Sequence, residues 1–252
     1  MPDSIEVSDE AGIRIIRMNR PEKKNALTQP MYAAMTRALA EAQDNDAIRC
    51  LVIAGGPGAF SAGADIAEFL ESAQSGALRR DTVEFLKAIA HNRKPLVAAV
   101  SGLAVGIGVT MLFHCDHVVA SADATFTTPF LKLALIPEAA SSLLAPLRMG
   151  YARAFSMLVM GRTLSAAEAK EAGIVNSVIE AAAVDGVALE AAREIAALPA
   201  GAVAVSRMLM RGGLDAIDRQ IDTEIMHFRE RLQSDEARAA FAAFLSRKKQ
   251  SR

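Results

Sequence analysis

Cys50-Leu51-Val52-Ile53-Ala54-Gly55-Gly56-Pro57-Gly58-Ala59-Phe60-Ser61-Ala62-Gly63-Ala64-Asp65-Ile66 is the stretch whose reading decides the fold class. Its first five residues are apolar and β-branched at the centre, which is the pattern of a strand buried on both faces. The Gly-Gly-Pro-Gly run ends that strand in a turn. Ala59 to Ile66 then reads as a small-residue loop that opens a helix, with Asp65 suited to the helix's first turn. Small side chains leave backbone N–H groups uncovered, so such a place can hold negative charge developing on a substrate oxygen. An ordinary strand-to-helix turn has the same composition, and taken alone the stretch reads as that turn.

The same alternation extends outward. Ile13 to Met18 reads as a strand, and Asn19 to Asn25 as a polar loop. Thr28 caps a helix in which Met31, Met35, Leu39 and Ala42 recur at helical spacing. Further along, Thr82 to His91 reads as a helix, Leu96 to Val100 as a second buried strand, and Val105-Gly106-Ile107-Gly108 as the opening of an apolar helix running through Phe113. His117 to Ala120 returns as a strand. Strand, loop and helix alternate to about residue 180, which predicts α/β architecture. From Ala182 onward the pattern is nearly all helical, and it divides the chain into a core over 1–195 and a helical, oligomerisation region over 196–252. The last helical segment places Phe241, Phe244 and Leu245 on one face, which needs cover from the chain's own core or from another subunit.

Composition removes several classes of function. The net charge of −1 over 252 residues gives no electrostatic case for nucleic acid or an anionic membrane as partner. No apolar run reaches the length of a membrane span. The acidic first ten residues lack a signal-peptide core, and the ending Lys248-Lys249-Gln250-Ser251-Arg252 is not of the peroxisomal Ser-Lys-Leu type. Two cysteines, Cys50 and Cys115, sit in apolar runs and suggest no disulfide framework. A reducing cytoplasm is the simplest setting.

Two Gly-containing turns, at Ala64 and at Gly106-Ile107-Gly108, could each present a free N–H at a helix start, and two such donors on one oxygen make an oxyanion hole. As a dinucleotide fingerprint Gly106 and Gly108 lack the third glycine and an acidic residue at a second strand end. Glu138, in Leu135-Ile136-Pro137-Glu138-Ala139-Ala140-Ser141-Ser142, is flanked by apolar and small residues. Partial desolvation would raise its pKa and suit it as a general base; equally, it could be a first-turn glutamate that complements a helix dipole. His114-Cys115-Asp116-His117 has the residue types of a metal site, but four consecutive side chains cannot face one point, so a polar elbow is the expectation. Arg247-Lys248-Lys249 reads as a solvated helix end.

Taken in order, Asn19-Arg20-Pro21 with Asn25-Ala26-Leu27, Phe60 to Ile66, Lys94-Pro95 through Gly108, and Cys115-Asp116 resemble the crotonase family, the enoyl-CoA hydratase/isomerase superfamily. The likeness runs over nearly the whole chain. It implies a crotonase-like spiral of ββα units followed by C-terminal helices, assembled as a homotrimer or a dimer of trimers. It implies acyl-CoA thioester substrates, with no metal or other cofactor. By position, the N–H groups of Ala64 and Ile107 would hold the thioester oxygen. Lys24, Asn25, Ala26 and Leu27, together with Ala62, Asp65 and Ile66, would line the CoA channel, and basic residues near the C-terminus would reach the nucleotide phosphates.

The departures from the family pattern are informative. Hydratases of the family use two glutamates to place and activate water, and those positions fall on Thr110 and Phe130 here, neither of which does acid–base work at neutral pH. The stretch from Thr127 through Glu138 to Ser142 resembles instead the Δ3,Δ2-enoyl-CoA isomerase branch, which uses one acid at the position of Glu138. The expectation is therefore an isomerase, with Phe85, Leu86, Met111 and Phe130 around the acyl group near Glu138. The alternatives are a hydratase or another reaction of the family, and a non-catalytic acyl-CoA-binding protein.

Overall fold

A computed structural model describes residues 4–75 and 79–250, with the side chains of 72–75 and 244–250 outside the description. Strands β1 (Ile5–Glu10) and β2 (Ile13–Met18) pair antiparallel around Ala11 and Gly12. Both turn residues have positive φ, 48° and 80°, as a two-residue hairpin matched to the strand twist requires. β1 buries only Ile5, and this is why the sequence reads there as an acidic lead-in rather than a strand. Its charged residues suit an edge position, where they discourage pairing with another chain.

The rest of the chain winds as a spiral. Helix α1 (Gln29–Gln43) leads to β3 (Cys50–Ala54), β4 (Ala59–Ser61), α2 (Ile66–Ser75) and α3 (Arg80–His91). Then come β5 (Leu96–Val100), β6 (Leu103–Val105) and α4 (Ile107–Thr110), which runs on as a 3-10 turn over Met111–His114. β7 (His117–Ser121) and β8 (Thr125–Thr127) complete a third pair, and α5 (Ser141–Met149), α6 (Tyr151–Leu158), β9 (Leu164–Ser165), α7 (Ala166–Glu171) and β10 (Ser177–Ile179) follow. Strands alternate between two sheets: the larger has the order β1-β2-β3-β5-β7-β10, the smaller β4-β6-β8-β9. Through β8 each turn of the chain thus adds one strand to each sheet, parallel to the last, and β9 then joins β8 antiparallel. That is the expected spiral.

Helix α8 (Val184–Ala197) covers the outer face of the large sheet, where Val184, Ala188 and Ala192 pack on Val52, Val97, Ala99 and Val119. The inner face meets the main core. Strands β3 and β5 are therefore buried at every residue, which explains their unbroken apolar runs. The last helices are α9 (Ala200–Arg211), α10 (Leu214–Leu232) and α11 (Asp235–Gln250). Phe228 of α10 and Phe241 of α11 meet Phe69 of α2, with ring centroids 5.8 and 5.7 Å away, so the C-terminal helices close over the start of α2. Phe244 and Leu245, expected to share a face with Phe241, have side chains outside the description.

Several expectations need correction. Ala59–Ser61, read as loop, is a strand, and the whole small sheet was absent from the sequence reading because its strands are two or three residues long. Such strands are too short for a period-2 pattern to register. The helix placed at Thr82 begins at Arg80, and the apolar helix expected through Phe113 gives way to 3-10 geometry after Thr110. Helix α3 packs on α1 through Phe85 and Tyr32, whose rings lie 5.4 Å apart. Phe85 is fully buried, so Phe85→Ala should cost about 3–5 kcal/mol in a urea unfolding titration.

Candidate active site

Because β4 and β6 are adjacent and parallel, with Ala59 opposite Leu103 and Ser61 opposite Ala104, the turns at their carboxyl ends are neighbours. They touch at backbone distance. A Cβ on Gly63, which has φ +86°, would stand 2.9 Å from the Val105 carbonyl oxygen, and one on Gly108 would stand 3.0 Å from both Cβ and O of Ser61. Glycine is required at both points by this approach. Ser61 ties the first turn together: its hydroxyl donates to the Asn25 carbonyl at 2.9 Å and accepts from the Gly63 N–H at 3.1 Å.

The donors on either side of Ala64 are committed, Gly63 to the Ser61 hydroxyl and Asp65 to Leu27. The N–H of Ala62 donates to the Lys24 carbonyl at 2.8 Å, Leu27 donates to Gly63 at 2.7 Å, and Asp65 donates to Leu27 at 2.8 Å. In the second turn Gly106 donates to Thr127 at 2.9 Å, while Val109 and Thr110 donate to Gly106 at 2.8 and 3.0 Å. Among the described residues, the N–H groups of Ala64 and Ile107 have no partner. Both residues line one apolar cavity of about 850 Å³, counting the space that opens to solvent. Two uncommitted amides facing an apolar space can bind an oxyanion far more strongly than they could in water.

Glu138 lines the same cavity. It lies in the loop before α5, followed by two non-glycine residues with left-handed backbone, Ala139 at φ 61° and Ala140 at φ 55°. Each costs about 1–2 kcal/mol. His114 holds the loop from one side, its Nε2 2.8 Å from the Ala139 carbonyl, and burial pushes the pKa of this imidazole down to about 4. It is therefore neutral, with Nε2 donating. Glu224 of α10 holds the loop from the other side, accepting from the Ala140 N–H at 2.7 Å, from the Ser142 N–H at 3.1 Å, and from the Ser142 hydroxyl.

Glu138 keeps some accessible surface, but that surface faces the cavity rather than bulk water. Burial pushes its pKa up to about 8; the Thr110 hydroxyl, which donates to it at 2.5 Å, opposes that shift, and the neighbouring charge of Glu224 adds to it. Tyr32, across the cavity, has its phenol pKa driven well up by burial and by the charges of Glu138 and Glu68. The site thus holds a carboxyl group of high proton affinity beside two free amide donors. Such a group can take up and return a proton near neutral pH.

A family model described as enoyl-CoA hydratase/isomerase matches residues 8–251. The chain belongs to the enoyl-CoA hydratase/isomerase family. Enoyl-CoA delta isomerase 2 of Rattus norvegicus is 37% identical over 253 residues, covering 96% of this chain and 63% of that protein. The 1,2-epoxyphenylacetyl-CoA isomerase of Escherichia coli K12 is 30% identical over 95% of this chain and 94% of its own length. The solved structure of Pseudomonas aeruginosa OdaA superposes with a TM-score of 0.92 at 40% identity, over 96% of this chain and 98% of that one. The chain therefore spans less than two thirds of the rat isomerase, and nearly all of the other two.

Of the residues singled out in the sequence, Ala62, Ala64, Ile66, Ile107, Phe130 and Glu138 meet in the one cavity. Leu27 and Asp65 line a smaller hollow that shares Ala64 with it. Lys24 and Ala26 line neither; Lys24 gives its carbonyl to the Ala62 N–H, whereas Ala26 donates to Lys23 and accepts from the Arg20 side chain. Asn25 is buried, its amide donating to the carbonyls of Ala59 and Phe60 and its side-chain oxygen accepting from the Arg20 N–H at 2.8 Å. Burial raises the pKa of Asp65, but Arg20 at 2.7 Å and the Ala67 N–H more than reverse it. Leu86 lies on the cavity wall, whereas Phe85 and Met111 are in the core and off that wall.

His114, Cys115, Asp116 and His117 do diverge. Asp116 accepts from Leu96 N–H and Arg207, His114 faces Ala139, Cys115 is buried, and His117 starts β7. The side chains of Arg247-Lys248-Lys249 lie outside the description. Sequence reasoning missed Tyr32 and Glu224. Glu224 did leave a signal, since it interrupts an otherwise apolar stripe of Ile217, Ile221, Ile225, Phe228 and Leu232 on α10.

The high pKa of Glu138 has a stability consequence. With a folded pKa of about 8 against an ordinary 4.5, the folded state binds a proton that the unfolded state has released across that window, so stability falls as pH rises through it. Glu138→Gln removes this loss. The variant should melt above the wild type by a margin that widens from pH 5 to pH 8 in a thermal-unfolding series.

Proposed function

We propose that the chain is a Δ3–Δ2 enoyl-CoA isomerase in which Glu138 shuttles one proton. The observation that carries this reading is the Glu138 carboxyl, of raised proton affinity and held by the Thr110 hydroxyl at one oxygen, in an apolar cavity also lined by Ala64 and Ile107 with their uncommitted amides. With the thioester oxygen on those amides, the ionised Glu138 removes a proton from C2 of a 3-enoyl group. The C–H electron pair enters a dienolate whose charge rests on the held oxygen. Glu138, now protonated, returns the proton to C4, and the double bond settles between C2 and C3. One carboxyl suffices, and the net reaction needs no metal or redox group.

Thr110 and Phe130 support this branch over hydration. Thr110 spends its hydroxyl on Glu138, and Phe130 is an apolar wall, so neither activates water. Glu224 also lines the cavity and raises a hydratase as the second reading, but both of its oxygens are engaged by the Ala140 and Ser142 donors. Leu27, Ala62, Asp65 and Ile66 are the wall we assign to CoA, with the buried Asn25 bracing it from behind. The name of the rat relative supports the isomerase reading, although it belongs to a longer protein.

The same proposal includes the trimeric assembly and a cytoplasmic setting. No helix among the described residues is long and apolar enough to cross a membrane, and Cys50 and Cys115 are buried free thiols. Leu147, Tyr151, Phe155 and Met160 around α5 and α6, and Met208 to Met210 on α9, supply exposed apolar surface for assembly. Sedimentation equilibrium should give a mass of three or six chains; a monomer refutes this part.

In a spectrophotometric assay with a 3-enoyl-CoA ester, Glu138→Gln should lower kcat by about 10²–10⁴-fold with little change in KM. Wild-type kcat/KM should rise with pH to a plateau above about 8, since the free enzyme must hold Glu138 ionised. Unchanged turnover in Glu138→Gln, or conversion of a 2-enoyl-CoA to 3-hydroxyacyl-CoA as the main activity, rejects the reading.

A further inference from the structure

Helix α5 has no cap of its own. Its cap position is Ala140, which has no side-chain acceptor and a left-handed backbone. The acceptor comes from another helix. Glu224, buried to 4% exposure, takes the Ala140 and Ser142 N–H groups and the Ser142 hydroxyl, and Gln220, one turn earlier on α10, donates to that same hydroxyl oxygen at 2.8 Å. Among the described residues no cation pairs with it: its polar partners are the backbone and hydroxyl donors at the start of α5. A buried carboxylate without a counter-charge is costly unless its lone pairs are filled, and helix-start amides fill them.

We propose that Glu224 is a positioning residue for Glu138: reaching across from α10, it caps α5 and clamps the strained turn that aims Glu138 into the cavity. The geometry favours this role over proton transfer, since both Glu224 oxygens are committed to the turn. The clamp has two jaws, because His114 grips Ala139 from the opposite side while Glu224 grips Ala140. Glu138 itself is left with one side-chain partner, Thr110. Its direction is therefore set by Thr110 and by the turn it stands on. Glu224 also acts on Glu138 through space, its charge raising the proton affinity of Glu138. The titratable groups around the pair are Glu138 on the loop, His114 from the 3-10 turn and Tyr32 from α1, and none of them carries a positive charge at neutral pH.

The idea deepens the isomerase reading and rests on it for its kinetics, but one readout is independent of activity. Glu224→Gln and Ser142→Ala are compared with the wild type by kcat and KM on a 3-enoyl-CoA ester, by carbon-13 NMR titration of the Glu138 carboxyl in the ligand-free protein, and by thermal melting. In Glu224→Gln, kcat should fall about 10–100-fold at nearly constant KM, as for a misplaced catalytic group. The Glu138 midpoint should drop below the wild-type value of about 8, because a neighbouring negative charge is gone. A purely structural role would lower the melting temperature and leave kcat of the folded protein unchanged.

If Glu224→Gln does not fold, Ser142→Ala decides, since it keeps the charge and loses one donor: a kcat loss of about fivefold at constant KM supports the clamp, and none overturns it. Wild-type protein that fails to isomerise any 3-enoyl-CoA refutes the isomerase reading, while a displaced Glu138 carboxyl resonance in Ser142→Ala, which keeps the Glu224 charge, still supports the clamp. Active wild type with both kcat and midpoint unchanged in Glu224→Gln overturns the clamp alone.

Discussion

Everything at the candidate site depends on the close approach of two backbone turns. β4 and β6 run parallel and side by side, so the chain leaves both at the same end of the small sheet. Ligand sites commonly form beyond the carboxyl ends of parallel strands for this reason. Here the turns press together at Gly63 against Val105 and at Gly108 against Ser61. Side chains at those points would wedge the turns apart and separate the two uncommitted amides. The spiral therefore exists, from the site's point of view, to bring a residue from one coil of chain beside a residue from the next.

Against that rigid amide pair the protein sets two carboxyl groups away from any cation. Glu138 faces the cavity and Glu224 faces the turn beneath it, and burial raises the proton affinity of both, to about 8 and about 7. Such groups weaken the fold as pH rises, and a structure keeps them when their proton affinity is useful. They differ in what surrounds their oxygens. Among the described residues only Thr110 donates to the Glu138 carboxyl, leaving it able to exchange a proton with a ligand, whereas both Glu224 oxygens are engaged by donors at the start of α5. Environment, rather than residue type, separates a proton carrier from a clamp.

The family relation and the site chemistry carry different weights. Membership rests on a match over residues 8–251 and on near-complete superposition with a solved relative. The proposed reaction rests on one carboxyl, Glu138, and on the Thr110 hydroxyl that is spent on it.

The sequence by itself determined the long buried strands, the amphipathic helices, and the short-range pattern of glycines and small residues at Ala64 and Ile107. These follow from local periodicity and backbone freedom, which neighbouring residues set. It also marked Glu138, because a carboxyl among apolar residues is visible in one dimension. The small sheet escaped it, since strands of two or three residues owe their form to pairing partners more than forty residues away in β4 and β6. Only the tertiary structure decided that Phe85 and Met111 lie in the core while Leu86 meets the cavity, and that Asn25 braces the turn. It alone brought Glu224, 84 residues from Ala140, to the start of α5. A cap supplied by a distant helix leaves no trace in the sequence it caps, because the missing acceptor at Ala140 has the same composition whether or not another element fills it.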